Sequence, residues 1–183
     1  MTFCAEIAKS APDLPFYYYH MPSMTGNDFK MIDFLRAAGD KIPNLAGVKY
    51  TYEDIEDYRK CVDFEDGRFN MLFGRDEKLY EGLSAGGSGA VGGTYNYASK
   101  LYDKLIKEFN AGNLNHARKL QDISIELIKV LTGSNAPELA VGKLIMKYYS
   151  KIDCGYVRQP LTNLSKYQAD SIFAALDKLP EIN

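Results

Sequence analysis

The sequence predicts an α/β protein: four strand–helix units that build a parallel sheet covered by helices, followed by a tail of helices alone. Two observations carry this. An apolar or aromatic run followed by a helix-period run recurs about every 25 to 30 residues, the size of one βα unit. After Asn113 the strand signals stop, and apolar residues recur only at helical spacing. Consecutive strand–helix repeats imply parallel strands, because each crossover returns the chain to the same end of the sheet.

The first unit is LPFYYYHMP, an aromatic strand that ends near His20 and is closed by Pro22. Asn27 or Asp28 can cap the helix after it. That helix carries Phe29, Ile32, Phe34, Leu35 and Ala38 on one face and stops at Gly39. The second unit is LAGVKYT with YEDIEDYRKCVDF, the third RFNMLFGRD with EKLYEGLSAGG, and the fourth GAVGGTYN with ASKLYDKLIKEFNAGN. In the tail, a stripe from Leu114 to Leu131 ends at Gly133. A second helix follows Pro137, and a third runs from about Ser165 to Leu179. These tail helices read as packing elements.

Composition narrows the function. At 46% hydrophobic residues, with nine Phe and fourteen Tyr, the chain can bury a substantial core. A net charge of -2 without a basic block argues against nucleic acid or an anionic membrane as partner. No apolar run approaches the roughly 20 residues of a membrane span, and MTFCAEIAKS is too polar for a secretory signal. Cys4, Cys61 and Cys154 are odd in number and lack C-x-x-C spacing, so they read as free thiols in a reducing cytosol. His20 and His116 are too few for a His-rich metal site. Residues 87 to 92, GSGAVG, spell G-x-G-x-x-G, but a helix precedes them and the strand lies inside the pattern. Nucleotide binding is therefore set aside, and the glycines read as room for a ligand.

In parallel α/β folds, ligands bind beyond the carboxyl ends of the strands. Those ends offer Tyr19 and His20; Lys49 and Thr51; Gly74, Asp76 and Glu77; Gly92, Gly93 and Thr94. A lysine delivered by an apolar strand is desolvated, which favours its neutral form. A neutral amine can add to a ketone as an imine, an electron sink for breaking a neighbouring carbon–carbon bond, and a phenol can relay the proton. The competing reading pairs Lys49 with Glu53 or Asp54 as an ordinary surface lysine. For Asp76 and Glu77 the competing reading is capping of the helix that follows.

The runs YYYHMPSMTG, AGVKYT, LFGRDEKL and GAVGGTYNY, in this order and at these spacings, resemble the C-terminal part of the N-acetylneuraminate lyases. These belong to the pyruvate-dependent class I aldolases, together with dihydrodipicolinate synthase, and the likeness extends through the VRQPL segment of the tail. It implies the C-terminal half of a (β/α)8 TIM barrel, strands 5 to 8, over residues 1–112, and a three-helix C-terminal extension over residues 113–183. By resemblance, Lys49 forms the imine with pyruvate and Tyr19 relays the proton. Thr51, Gly74, Asp76, Glu77 and Gly93 fall on the substrate-binding positions. The lyases usually carry serine where Gly93 stands, so one hydroxyl contact is absent here.

The resemblance further implies reversible cleavage of N-acetylneuraminate to N-acetylmannosamine and pyruvate, with no cofactor beyond the lysine imine and no metal. Its partners would be those small molecules, with neither nucleic acid nor membrane, in a cytoplasmic homo-oligomer that is a tetramer in the family. A related aldolase with another aldehyde acceptor, or a non-catalytic half-barrel, is the alternative. Residues CAEIAKSAPDLP read as the last turns of the helix before strand 5. The chain is thus expected to be partial, lacking the Gly-rich carboxylate-binding motif and the tyrosine that reaches a neighbouring subunit. Its isolated activity is correspondingly in doubt.

Overall fold

A computed structural model describes residues 2–180. The chain divides into two compact units, with the division between Val91 and Gly92.

The first unit opens with helix α1 (Thr2–Lys9) and then builds the sheet. Strands β1 (Phe16–His20), β2 (Leu45–Tyr50), β3 (Asn70–Phe73) and β4 (Gly89–Ala90) are all parallel and lie in sequence order. Between them run the short helix α2 (Pro22–Thr25), then α3 (Met31–Ala38), α4 (Ile55–Asp63) and α5 (Leu79–Ser84), the last entered through a 3₁₀ turn, Asp76–Lys78. This is the expected strand–helix alternation with a parallel sheet.

Alternation along the strands sorts side chains by face. Tyr18, Val48, Tyr50, Met71 and Phe73 join Phe34, Leu35, Ala38 and Tyr58 from α3 and α4 in one hydrophobic core. The Tyr18 ring stacks on Phe34 with centroids 4.6 Å apart. Each large apolar side chain so buried contributes about 1.5–3 kcal/mol of transfer free energy. Residues in the other phase of the alternation, Tyr17, Tyr19, Lys49 and Asn70, are partly or wholly exposed. Asn70 Nδ2 donates to the Tyr17 hydroxyl at 3.2 Å.

Helix α3 begins later than the sequence predicts, and neither Asn27 nor Asp28 caps it. Its N-cap position is Lys30, whose side chain makes no capping bond. The cap arrives instead from α4. Buried Asp57 accepts the backbone N–H of Met31 at 2.7 Å and of Ile32 at 3.3 Å. A carboxylate on a neighbouring element satisfies the first-turn amides as well as a local one would. Asp54 caps α4 itself by accepting from Asp57 N at 3.0 Å. Helix α2 was not foreseen; Gly26 closes it at φ +70°, a left-handed conformation that favours glycine.

His20 occupies the last position of β1, fully buried. Phe29, Tyr50 and Tyr52 surround its ring at centroid distances of 5.3–5.7 Å. Neither ring nitrogen has a hydrogen-bond partner.

Strand β4 is only two residues long, shorter than the GAVGGT run predicts, although Val91 N extends its ladder by donating to Phe73 O at 2.9 Å. The second unit is helical: α6 (Tyr95–Asn110), α7 (Leu114–Thr132), α8 (Glu138–Ser150) and α9 (Lys166–Leu176). Helix α6 packs against α7 and α8, and both of these pack against α9. Leu105, Leu127, Val141, Ile145 and Leu176 are among the residues this buries. Ser165 and Gln168 form a reciprocal capping box at the start of α9. Among the described residues, no helix is long and apolar enough to cross a membrane.

Candidate active site

The parallel register sets Tyr19 of β1 directly beside Lys49 of β2. Both are the next-to-last residues of their strands, and both belong to the phase of the alternation that the helices do not cover. Lys49 Nζ lies 4.1 Å from the centroid of the Tyr19 ring, within the range of a cation–π contact. The lysine is half-buried, and the tyrosine is 45% exposed. The two carboxylates that might have neutralised Lys49 are engaged elsewhere: Asp54 pairs with Lys30, and Glu53 pairs with Arg75. The ordinary surface ion pair is therefore not formed, and the amine stands against a phenol.

One residue past the end of β2, Thr51 extends the ladder. Its N–H donates to His20 O at 2.8 Å and its hydroxyl to Gly74 O at 3.4 Å. Gly74 follows β3 and donates its N–H to Tyr50 O at 2.8 Å. A Cβ built on Gly74 would lie 2.0 Å from Thr51 Oγ1 and 3.0 Å from Tyr50 O, so only glycine fits this close approach. Asp76 is buried at the start of the 3₁₀ turn.

Glu77 shares that turn, and its Oε1 receives both Nε and Nη2 of Arg75, each at 2.7 Å. Arg75 Nη1 reaches Glu53 Oε1 at 2.7 Å. The guanidinium thus ties the segment after β2 to the turn after β3. The Arg75 bond holds the Glu53 carboxyl below the usual carboxylate range. Burial works against the Arg75 charge, and the bonds to the two glutamates outweigh it, so its pKa lies above the ordinary value.

A cleft of about 560 Å³ opens beyond these strand ends, lined by Ser23, Asp28, Thr51, Glu53, Gly74, Arg75 and Glu77 among others. The structure thus brings Thr51, Gly74 and Glu77 together around one cavity. Tyr19 and Lys49 form a second pair, outside that lining. Gly93 belongs to the second unit, where it lines a separate cavity with Asn96, Tyr97 and Leu139. A Cβ on Gly93 would meet nothing within 4 Å.

The sequence reading gave Arg75 no role, and it offered Glu53 only as a partner for Lys49 and Asp28 only as a helix cap. Arg75 was the variable position of a G-x-D-E turn, and its one available signal was a basic residue between the glycine and two acids. Among the described residues, no cluster of His, Cys, Asp and Glu is arranged to hold a metal ion.

The Dihydrodipicolinate synthetase family model matches residues 1–179. The chain is 38% identical over 180 residues to N-acetylneuraminate lyase of Xenopus tropicalis, covering 97% of this chain and 58% of that protein. The solved N-acetylneuraminate lyase of Proteus mirabilis superposes with a TM-score of 0.89 at 39% identity, covering 96% of this chain and 58% of that one. A catalytic lysine mutant of Ruminococcus gnavus sialic acid aldolase matches with a TM-score of 0.81 at 28% identity, over 98% of this chain and 60% of that one. The chain spans somewhat more than half the length of these relatives. With its parallel sheet, its strand-end cleft and a family match over nearly its whole length, the chain belongs to the dihydrodipicolinate synthetase family.

Proposed function

We propose that the complete protein is a Schiff-base aldolase that reversibly cleaves N-acetylneuraminate to N-acetylmannosamine and pyruvate. The observation that carries this reading is the Lys49 amine set against the Tyr19 ring at paired positions of neighbouring parallel strands. Its relatives support it: N-acetylneuraminate lyases, and a sialic acid aldolase with a catalytic lysine.

The amine of Lys49 adds to the keto carbon of the substrate and water leaves, giving a protonated imine. The hydroxyl on the carbon beyond the scissile bond gives its proton to a base, the carbon–carbon bond breaks, and the electron pair flows into the imine as an enamine. The fragment that leaves is the aldehyde. Protonation of the enamine and hydrolysis release pyruvate and the free amine. Tyr19 carries the proton between these steps. Thr51, Gly74, Asp76 and Glu77 shape the sugar site, and no cofactor beyond the imine is needed.

In this reading β1–β4 correspond to strands 5–8 of a (β/α)8 barrel over residues 1–112. Residues 113–183 are then its C-terminal extension. The enzyme acts on small molecules in the cytoplasm as a homo-oligomer. Borohydride reduction in the presence of pyruvate, followed by peptide mass analysis, tests it. One reduced pyruvate adduct on Lys49 is expected, and an adduct elsewhere or none overturns it.

A further inference from the structure

Arg75 binds Glu77 and Glu53 in a way that uses one oxygen of each. Two guanidinium donors converge on Glu77 Oε1 and a third reaches Glu53 Oε1. No hydrogen bond from the described residues reaches Oε2 of either glutamate. The Arg75 side chain is 21% exposed and that of Glu77 33%, so the Arg75–Glu77 pair is largely shielded. Such charge-assisted bonds restrict the carboxylates far more than solvent does. The cleft lining holds three carboxylates, Asp28, Glu53 and Glu77, against this one guanidinium. Two guanidinium N–H groups are hydrogen-bonded to the glutamates and Nη2 is ion-paired with Glu77, which leaves Arg75 poorly placed to receive an anion.

Resting on the aldolase reading, we propose that Arg75 is a positioning residue that presents Glu53 and Glu77 as paired acceptors for the hydroxyl groups of an uncharged polyol. It acts through the glutamates and does not bind the ligand's charge. Both carboxylates must stay ionised to accept those bonds, and the guanidinium between them offsets the repulsion of two like charges brought to one mouth.

Titration of the 183-residue chain with N-acetylmannosamine and with its 6-phosphate, by calorimetry or ligand-observed NMR, tests the assignment. Wild type is expected to bind the neutral sugar more tightly than the phosphate. Arg75→Gln is expected to weaken neutral-sugar binding about tenfold or more while the thermal midpoint holds, and Arg75→Lys to recover part of the loss. Glu53→Gln, on a side chain that is 69% exposed, is expected to weaken it less. A merely structural role would lower the midpoint without separating Gln from Lys.

Equal affinity in wild type and Arg75→Gln overturns the proposal, as does absence of sugar binding by wild type. Tighter binding of the phosphate, lost in Arg75→Gln, would make Arg75 a direct anion receptor and overturn it too. Failure of the aldolase reading shows separately, as sugar binding without a pyruvate adduct on Lys49.

Discussion

Lys49 Nζ stands 4.1 Å from the centre of the Tyr19 ring, and strand register alone fixes which two residues meet. Because a parallel ladder aligns Tyr19 with Lys49, each hydrogen bond of the β1–β2 pair helps hold the amine and the phenol together. This separates the roles of ring and hydroxyl. Tyr19→Phe keeps the ring beneath the amine and removes the hydroxyl that relays the proton under the proposed function. The expected outcome is retained borohydride trapping of pyruvate on Lys49 with carbon–carbon cleavage lowered by about 10²–10⁴-fold. Lys49→Ala should abolish the trapped adduct altogether. Adduct mass and cleavage rate, read on the same preparations, check both.

Asp57 is the internal fastener of the first unit. It takes the amides of Met31 and Ile32 and the hydroxyl of Tyr50, the last at 3.3 Å. Asp57→Ala strands the two amides in a buried place, while the Tyr50 hydroxyl keeps Asp54 O at 2.7 Å, and should cost about 2–4 kcal/mol. Denaturant unfolding measures it, and a loss below about 1 kcal/mol would mean that water replaces the carboxylate.

His20 makes stability depend on pH. Burial holds its imidazole pKa below the ordinary value, against an opposing pull from Asp57 and Asp28. Below the unfolded value of about 6.5, the unfolded chain takes up a proton that the folded chain refuses. Stability is therefore full above that pH and declines as pH falls beneath it, until the folded pKa is passed. The carboxylates bonded to cations, Glu53 and Asp54, add their own loss only at lower pH, since their pKa values are depressed. Urea midpoints between pH 7.5 and 5 should fall for wild type and stay flatter for His20→Phe.

Gly74 and Gly93 should respond oppositely to a side chain. Gly74→Ala forces a methyl against Thr51 Oγ1 and Tyr50 O and should cost about 1–3 kcal/mol, with Thr51→Ala in the same chain recovering part of it. Gly93→Ser enters open space, so its effect on stability should stay within about 0.5 kcal/mol. Thermal midpoints of the two variants distinguish these expectations.

Local rules carried much of the fold. Aromatic and β-branched runs marked β1 to β3, and helical periodicity with Gly133, Pro137 and Ser165 set α7 to α9 within a few residues. Rules confined to neighbouring residues failed where a partner comes from elsewhere in the chain. The start of α3 depends on Asp57, 26 residues away from Met31. The GAVGGT run could not reveal that only two of its residues pair in the sheet, since glycine carries almost no strand signal. At the candidate site, the strand ends could be read from the alternation, but the choice of partner could not. Glu53 was offered as a partner for Lys49, and only the geometry of two adjacent turns shows that it pairs with Arg75.

The guanidinium bridge has a consequence for anyone diversifying this cleft. Positions 53, 75 and 77 act as one coupled unit, because changing the central residue releases both acids at once. Libraries that randomise a single one of them will sample mostly orphaned charges. Recombining all three together, including charge-reversed and wholly neutral triplets, is the economical way to search for a new acceptor.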